Sequence, residues 1–314
     1  PTLILWRSSS QWIGGLYFLI YLIIIFSNKQ FNYKLNYLTY SGDYNFNNEK
    51  NIKDLILKIL IIYFILSALI FFLLVITEIR LFDALNLGMT LVSTGGFLPT
   101  NSLDQIIRSN TQELILIFSL LMSTLNIFFV LNLFSGRRFS YNHKEDFLII
   151  LSSIILSTIL LITISNFTLS DSFINVLSCL SSSGLSIGEV PNNIVLYFLF
   201  LTVIGGSLVS NSSGVKPIRI YILLKSASSE ILRLVRPNNI FNNNIFFSEK
   251  KITSENINSS FLIFVSFFFS IFLLSSLLLI DNINFETSFK LSILTLTNTT
   301  NSNLFGVENI EFLN

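Results

Sequence analysis

Three short turns carry the groups best suited to chemistry in this sequence: Ser93-Thr94-Gly95-Gly96-Phe97, Ser182-Ser183-Gly184-Leu185-Ser186 and Asn298-Thr299-Thr300-Asn301. They offer hydroxyl oxygens on small side chains. Gly95 and Gly184 add backbone angles that can turn carbonyl oxygens toward a common axis. Rings of carbonyl oxygens replace the hydration shell of a permeating cation. The expected chemistry is therefore coordination of a desolvated cation, at Ser93, Thr94, Gly95, Gly96, Ser182, Ser183, Gly184, Leu185, Asn298, Thr299 and Thr300. Enzymatic chemistry is not expected. The sequence has no metal-ligand cluster, and Gly205–Lys216 lacks the Gly-Lys-Ser/Thr of a phosphate loop.

The elements that must position these turns repeat with them. Each turn follows an apolar span, an acidic residue and a short helical stretch. The spans are Leu55–Ile76, Phe147–Ser165 and Ser259–Ile280, and the acids are Asp83, Asp171 and Glu286. From the last span residue to the aligned turn position is 19 residues (76 to 95), 19 (165 to 184) and 20 (280 to 300). A recurrence at fixed spacing marks an internal repeat. The stretch from Asp83 to Val92 makes about 15 Å of helix, half the hydrocarbon thickness. Such a helix enters a membrane without crossing it. A carboxylate at its start suits the positive end of the helix dipole, and its negative end then points at the turn. Several negative ends around one point favour a cation.

Composition supports the same class. Hydrophobic residues make up 52% and charged residues 12%, against about 25% charged in soluble domains. Six spans are expected, at about 3–26, 55–76, 112–134, 147–165, 194–226 and 259–280, each near the roughly 20 residues a bilayer requires. A net charge of +1 points to no nucleic-acid partner. The single cysteine, Cys179, excludes an internal disulfide and reads as a small apolar residue. Thirteen cations fall in the segments 27–58, 135–146 and 225–251, including Arg137, Arg138 and Lys144, whereas Arg7, Arg80, Arg108 and Lys290 lie opposite. Cations mark the cytoplasmic side, so the turns face outward. His143 reads as a solvated loop residue. Beginning at Pro1 and stopping soon after the third turn, the chain is expected to be a fragment.

The fifth span is interrupted. Apolar Leu196–Ile204 is followed by Gly205-Gly206-Ser207-Leu208-Val209-Ser210-Asn211-Ser212-Ser213-Gly214-Val215-Lys216-Pro217-Ile218-Arg219 and then by Ile220–Leu224. Pro217 lacks a backbone donor and disfavours helix just before it. Broken helices at the midplane mark ion pathways; tight helix packing on small residues is the plainer alternative. The composition predicts a weakly packed segment able to act as a gate. Lys216 either repels permeating cations there or snorkels to the cytoplasmic interface.

These residues resemble the Trk/Ktr/HKT superfamily of potassium transporters, and within it the bacterial TrkH-type subunit. Trp6-Arg7-Ser8-Ser9-Ser10-Gln11-Trp12-Ile13-Gly14-Gly15-Leu16 is similar to the start of the first repeat's inner span. The Ser93 and Ser182 turns resemble the second and third filters. Gly205, Gly206, Ser210, Gly214, Lys216 and Arg219 match the intramembrane gating loop, with Val209 and Ser213 in place of glycines, and Thr300 stands where the fourth filter usually has glycine. The resemblance implies an all-α integral membrane protein of span–pore helix–filter–span units around a central ion pore. The units would be 1–53 (inner span of the first repeat), 54–145 (second repeat), 146–256 (third) and 257–314 (fourth, incomplete). It further implies potassium uptake, including by symport, at the multi-pass inner membrane, with potassium as substrate and no covalent cofactor. Implied partners are membrane lipid, a second copy in a homodimer, and a cytoplasmic nucleotide-binding subunit of the TrkA/KtrA type. Two alternatives stay open. One is a secondary transporter of another class, which would show inverted repeats; the other is a non-conducting or less selective monovalent-cation homologue.

Overall fold

The computed structural model describes residues 2–27, 49–100, 102–134, 144–164, 167–188, 190–235, 252–299 and 303–305. Thr300, Asn301, Ser302, His143 and most of the cations of the segments 27–58, 135–146 and 225–251 lie outside them. The principal helices are α1 (Thr2–Ser27), α2 (Glu49–Ile76), α3 (Leu81–Val92), α4 (Asn110–Thr124), α5 (Ile127–Phe134), α6 (Lys144–Thr163), α7 (Leu169–Ser181), α8 (Val195–Ile204), α9 (Pro217–Val235), α10 (Ser254–Ile280) and α11 (Phe285–Leu296). Among the described residues there is no strand. This is the all-α architecture expected of a chain whose backbone must satisfy itself in lipid.

Lys53–Ile76, Glu145–Thr163 and Ser254–Ile280 are each long and apolar enough to cross a membrane, which makes this a multi-pass membrane protein. Their outer faces present Phe72, Ile162 and Phe269 outward. Each of these three spans is followed by a short helix of 12, 13 or 12 residues, α3, α7 and α11, about 18–20 Å long at 1.5 Å per residue. The acids sit where the dipole favours them. Asp83 and Glu286 lie in the first turns of α3 and α11, the latter paired with Lys290 at 2.7 Å. Asp171 completes a capping box: Thr168 N–H donates to its Oδ2 at 2.9 Å, and Asp171 N–H donates to Thr168 Oγ1 at 3.2 Å.

The third span departs from expectation. The apolar run 112–134 reads as one crossing, but α4 and α5 bend by 116° at Leu125–Asn126. Asn126 starts the second helix by accepting Phe128 N–H on Oδ1 at 3.0 Å. The composition is apolar on both sides, so hydropathy cannot show the break; a lone Asn after Ser123-Thr124 is its trace.

Candidate functional site: three turns around one loop

The three turns share one backbone geometry. Thr94, Ser182 and Asn298 are left-handed, with φ of 57°, 63° and 53°. Each sends its own N–H three residues back, to Leu91, Cys179 or Thr295, and the following N–H goes five back: Gly95 to Thr90 at 2.7 Å, Ser183 to Ser178 at 3.0 Å, Thr299 to Leu294 at 2.9 Å. That pair of bonds is the Schellman motif, which closes a helix C-terminus. Glycine usually occupies the left-handed position; here a β-branched Thr, a Ser and an Asn are held in it, a conformation costing of order 1 kcal/mol or more and found where structure over-determines it. In this register Gly96 (φ 76°), not Gly95, is the counterpart of Gly184 (φ 70°). The sequence alignment of 95 with 184 is thus off by one residue.

Gly95 is required for a different reason. A Cβ there would stand 2.0 Å from Gln11 Oε1, and Gln11 Nε2 donates to the Gly95 carbonyl at 3.2 Å. Helix α1 lies along the first turn in antiparallel register. Arg7 stands over the Phe97 ring at 5.9 Å, Gln11 meets Gly95, and a Cβ on Gly15 would come 3.1 Å from Ser93 Cβ. Positions 7, 11 and 15 are one helical face, a periodicity that was available in the sequence.

The loop 205–216 lies against all three turns. Thr94 Oγ1 donates to the Asn211 carbonyl at 3.2 Å, and Asn211 Nδ2 donates to Val92 O at 2.9 Å. Ser213 N–H and Oγ both reach Ser182 Oγ at 2.9 Å, and Ser213 Oγ also donates to Thr297 O. Asn211 and Ser213 thus link turns separated by about 200 residues of chain (Thr94 to Thr297). Ser93, Thr94, Ser182, Ser183, Leu185 and Thr299 are buried, whereas Asn298 is exposed. Cys179 is buried in α7.

The loop itself is neither sparse nor loosely bonded. Ser207, Val209, Ser210 and Ser212 are buried. Val215 N–H and Lys216 N–H donate to Val203 O and Ile204 O at 2.8 and 3.0 Å, and Gly206 N–H donates to Ser212 Oγ at 3.0 Å. Small side chains let the backbone approach these partners: a Cβ on Gly205 or Gly214 would meet Ser213 O at 2.0 Å or Val203 O at 2.7 Å. Lys216 does not snorkel. It is 6% exposed, and its Nζ donates back into the loop, to Ser210 Oγ at 3.3 Å, Ser212 Oγ at 3.0 Å and the Ser212 carbonyl. Arg219 Nη1 donates to Val215 O at 3.3 Å.

Fold and site define a multi-pass helical membrane protein in which turns at the ends of half-length helices meet an interrupted span. No family model matches the chain. It is 26% identical over 247 residues to an uncharacterized cation transporter of Methanocaldococcus jannaschii, covering 75% of this chain and 49% of that protein. It is 27% identical over 173 residues to the Trk system potassium uptake proteins TrkH of Salmonella typhimurium and Escherichia coli, covering 51% of this chain and 36% of each. Its fold matches the crystal structure of the potassium transporter TrkH from Vibrio parahaemolyticus with a TM-score of 0.80 at 20% identity, over 94% of this chain and 63% of that one. The resemblance to TrkH-type proteins read from the residues is borne out: the chain is similar to them in sequence and shares their fold. It spans about half, or less, of the length of the curated relatives it matches.

Proposed function

We propose that this chain forms part of a channel-like pore for potassium uptake across the inner membrane, with the three turns as filter segments and the loop 205–216 as gate. The observation that carries this reading is the convergence of Thr94, Ser182 and Thr297, from three separate half-helices, on Asn211 and Ser213 of one loop. Three helix C-termini, each worth about −0.5 charge, then face one region lined by hydroxyl and carbonyl oxygens, which selects for a cation and against an anion. The names of the sequence relatives point to the same cargo. On this reading Lys216 is a positive charge carried by the gate, withheld from solvent while the loop is bonded. A homodimer and a cytoplasmic nucleotide-binding subunit belong to the same proposal, as does coupled symport.

The test uses the full-length gene in a host lacking potassium uptake. Expected results are growth at limiting potassium and rubidium uptake that equimolar sodium does not displace. Uptake displaced equally by sodium would assign the less selective reading, and correct insertion with no uptake would overturn the proposal. Orientation is checked separately. A reporter fused at Asn142 and active only in the periplasm is expected to stay silent, because Arg137, Arg138 and Lys144 hold that segment inside; strong activity would reverse the topology.

A further inference from the structure

Two acids that the cation-transport reading leaves unused bond across both breaks in the helical ladder. Glu145 and Asp146 are adjacent at the start of α6 and are 7% and 1% exposed. Asp146 Oδ1 accepts the N–H of Asn126 at 2.7 Å, at the bend between α4 and α5. Glu145 Oε1 accepts the N–H of Leu208 at 3.1 Å, inside the loop that interrupts the α8–α9 span. The two breaks are also joined directly. Ser207 N–H donates to Thr124 O, and Ile127 N–H donates to Val209 O, both at 2.9 Å. The four bonds close a circuit through the start of α6, the bend and the loop.

We propose that Glu145 and Asp146 are positioning residues that lock the bend at 125–126 and the loop 205–216 to one another, so that the two interruptions change conformation together. At both breaks the helical ladder leaves donors without helical partners, and a buried backbone N–H must find one. A carboxylate is the strongest acceptor available, because its bonds are charge-assisted. Two buried neighbouring carboxylates would be costly without compensation. The fields of Lys216, in the loop, and Arg219, at the start of α9, offset only part of that cost at Glu145. The loop thus supplies both the donor that Glu145 binds and, in Lys216, a cation that offsets part of its charge. Moving the loop away would break the Glu145 bond and carry Lys216 away from that carboxyl. The consequence for ion flow rests on the reading of this loop as the gate; the coupling itself does not.

Ser207 supplies the probe. It is fully buried, and its hydroxyl has no hydrogen-bond partner, so Ser207→Cys removes no bond. In the full-length protein, with Cys179 and any cysteine beyond these 314 residues replaced by alanine, the readout is the rate at which a membrane-permeant maleimide modifies Ser207→Cys. Asp146→Ala, although Asp146 binds the bend and not the loop, is expected to raise that rate about tenfold, the scale of losing one hydrogen bond to a charged group. Glu145→Ala should do the same, and the double variant should fall short of the product of the two. Asp146→Asn keeps an acceptor oxygen without its charge and is expected to raise the rate about threefold; it serves as the decisive variant if the alanine protein does not fold. A rate unchanged by Asp146→Asn, and by Asp146→Ala where it folds, overturns the proposal. Accelerated labelling in a protein that carries no rubidium would keep the coupling and sink the potassium reading. Rubidium uptake with unaltered labelling would do the reverse.

Discussion

An alanine at Gly205 is expected to be the most damaging single methyl in this chain. Gly205 has a φ of 72°, and its added Cβ would stand 2.0 Å from the carbonyl oxygen of Ser213. With a ψ of −171° it lies in a backbone region essentially reserved for glycine, which costs another residue of order 1–3 kcal/mol. Overlap with a packed neighbour adds about 1–3 kcal/mol, and here that neighbour is backbone, which cannot rotate aside. Separating the two ends of the loop would also draw Ser213 from Ser182 and Thr297, so the damage should spread to two turns. The purified full-length Gly205→Ala protein should melt several degrees below its parent and lose rubidium flux. Gly14→Ala is the control, since nothing lies within 4 Å of a Cβ there and alanine favours helix over glycine by about 1 kcal/mol. If both variants melt with the parent, the loop is not closed through Gly205.

Gly95→Ala is expected to cut rubidium flux about tenfold, equivalent to ~1.4 kcal/mol, and the defect should be curable from another helix. The Cβ would lie 2.0 Å from Oε1 and 2.2 Å from Cδ of Gln11. The obstruction is therefore a side-chain end and not the backbone, and Gly95 has no positive φ to lose. Shortening the obstructing residue in Gly95→Ala/Gln11→Ala should recover most of the flux lost to Gly95→Ala alone. Gly184→Ala supplies the contrast: its φ of 70° makes alanine strained whatever its neighbours do. Gln11→Ala should leave that variant unrescued. Equal rescue of both, or of neither, would contradict the different reasons assigned to the two glycines.

These cases divide by the range of the forces involved. The three long spans 55–76, 147–165 and 259–280, the half-length helices with Asp83, Asp171 and Glu286 at their starts, and the interruption before Pro217 were legible in the sequence. Each follows from apolar run length, helix-end chemistry or a missing backbone donor, all properties of consecutive residues. The bend at 125–126 left only a faint trace, because both flanks are apolar and its bonds come from Asp146 and Val209. The register of the first turn is off by one residue because two glycines stand side by side in it: spacing pairs Gly95 with Gly184, whereas Gly96 shares the positive φ of Gly184. The direction of Lys216 was likewise invisible. Its stem can reach water in isolation, but Ser210 and Ser212 offer oxygens only once the loop has folded. Gln11 on Gly95 and Asn211 on Val92 are 84 and 119 residues from their partners, and Glu145 on Leu208 is 63 away. Such pairings are set by which backbone groups the helix breaks leave unsatisfied inside the membrane, and by which polar atoms packing brings within reach. Local sequence decides where the breaks are tolerated; the assembled helices decide what satisfies them.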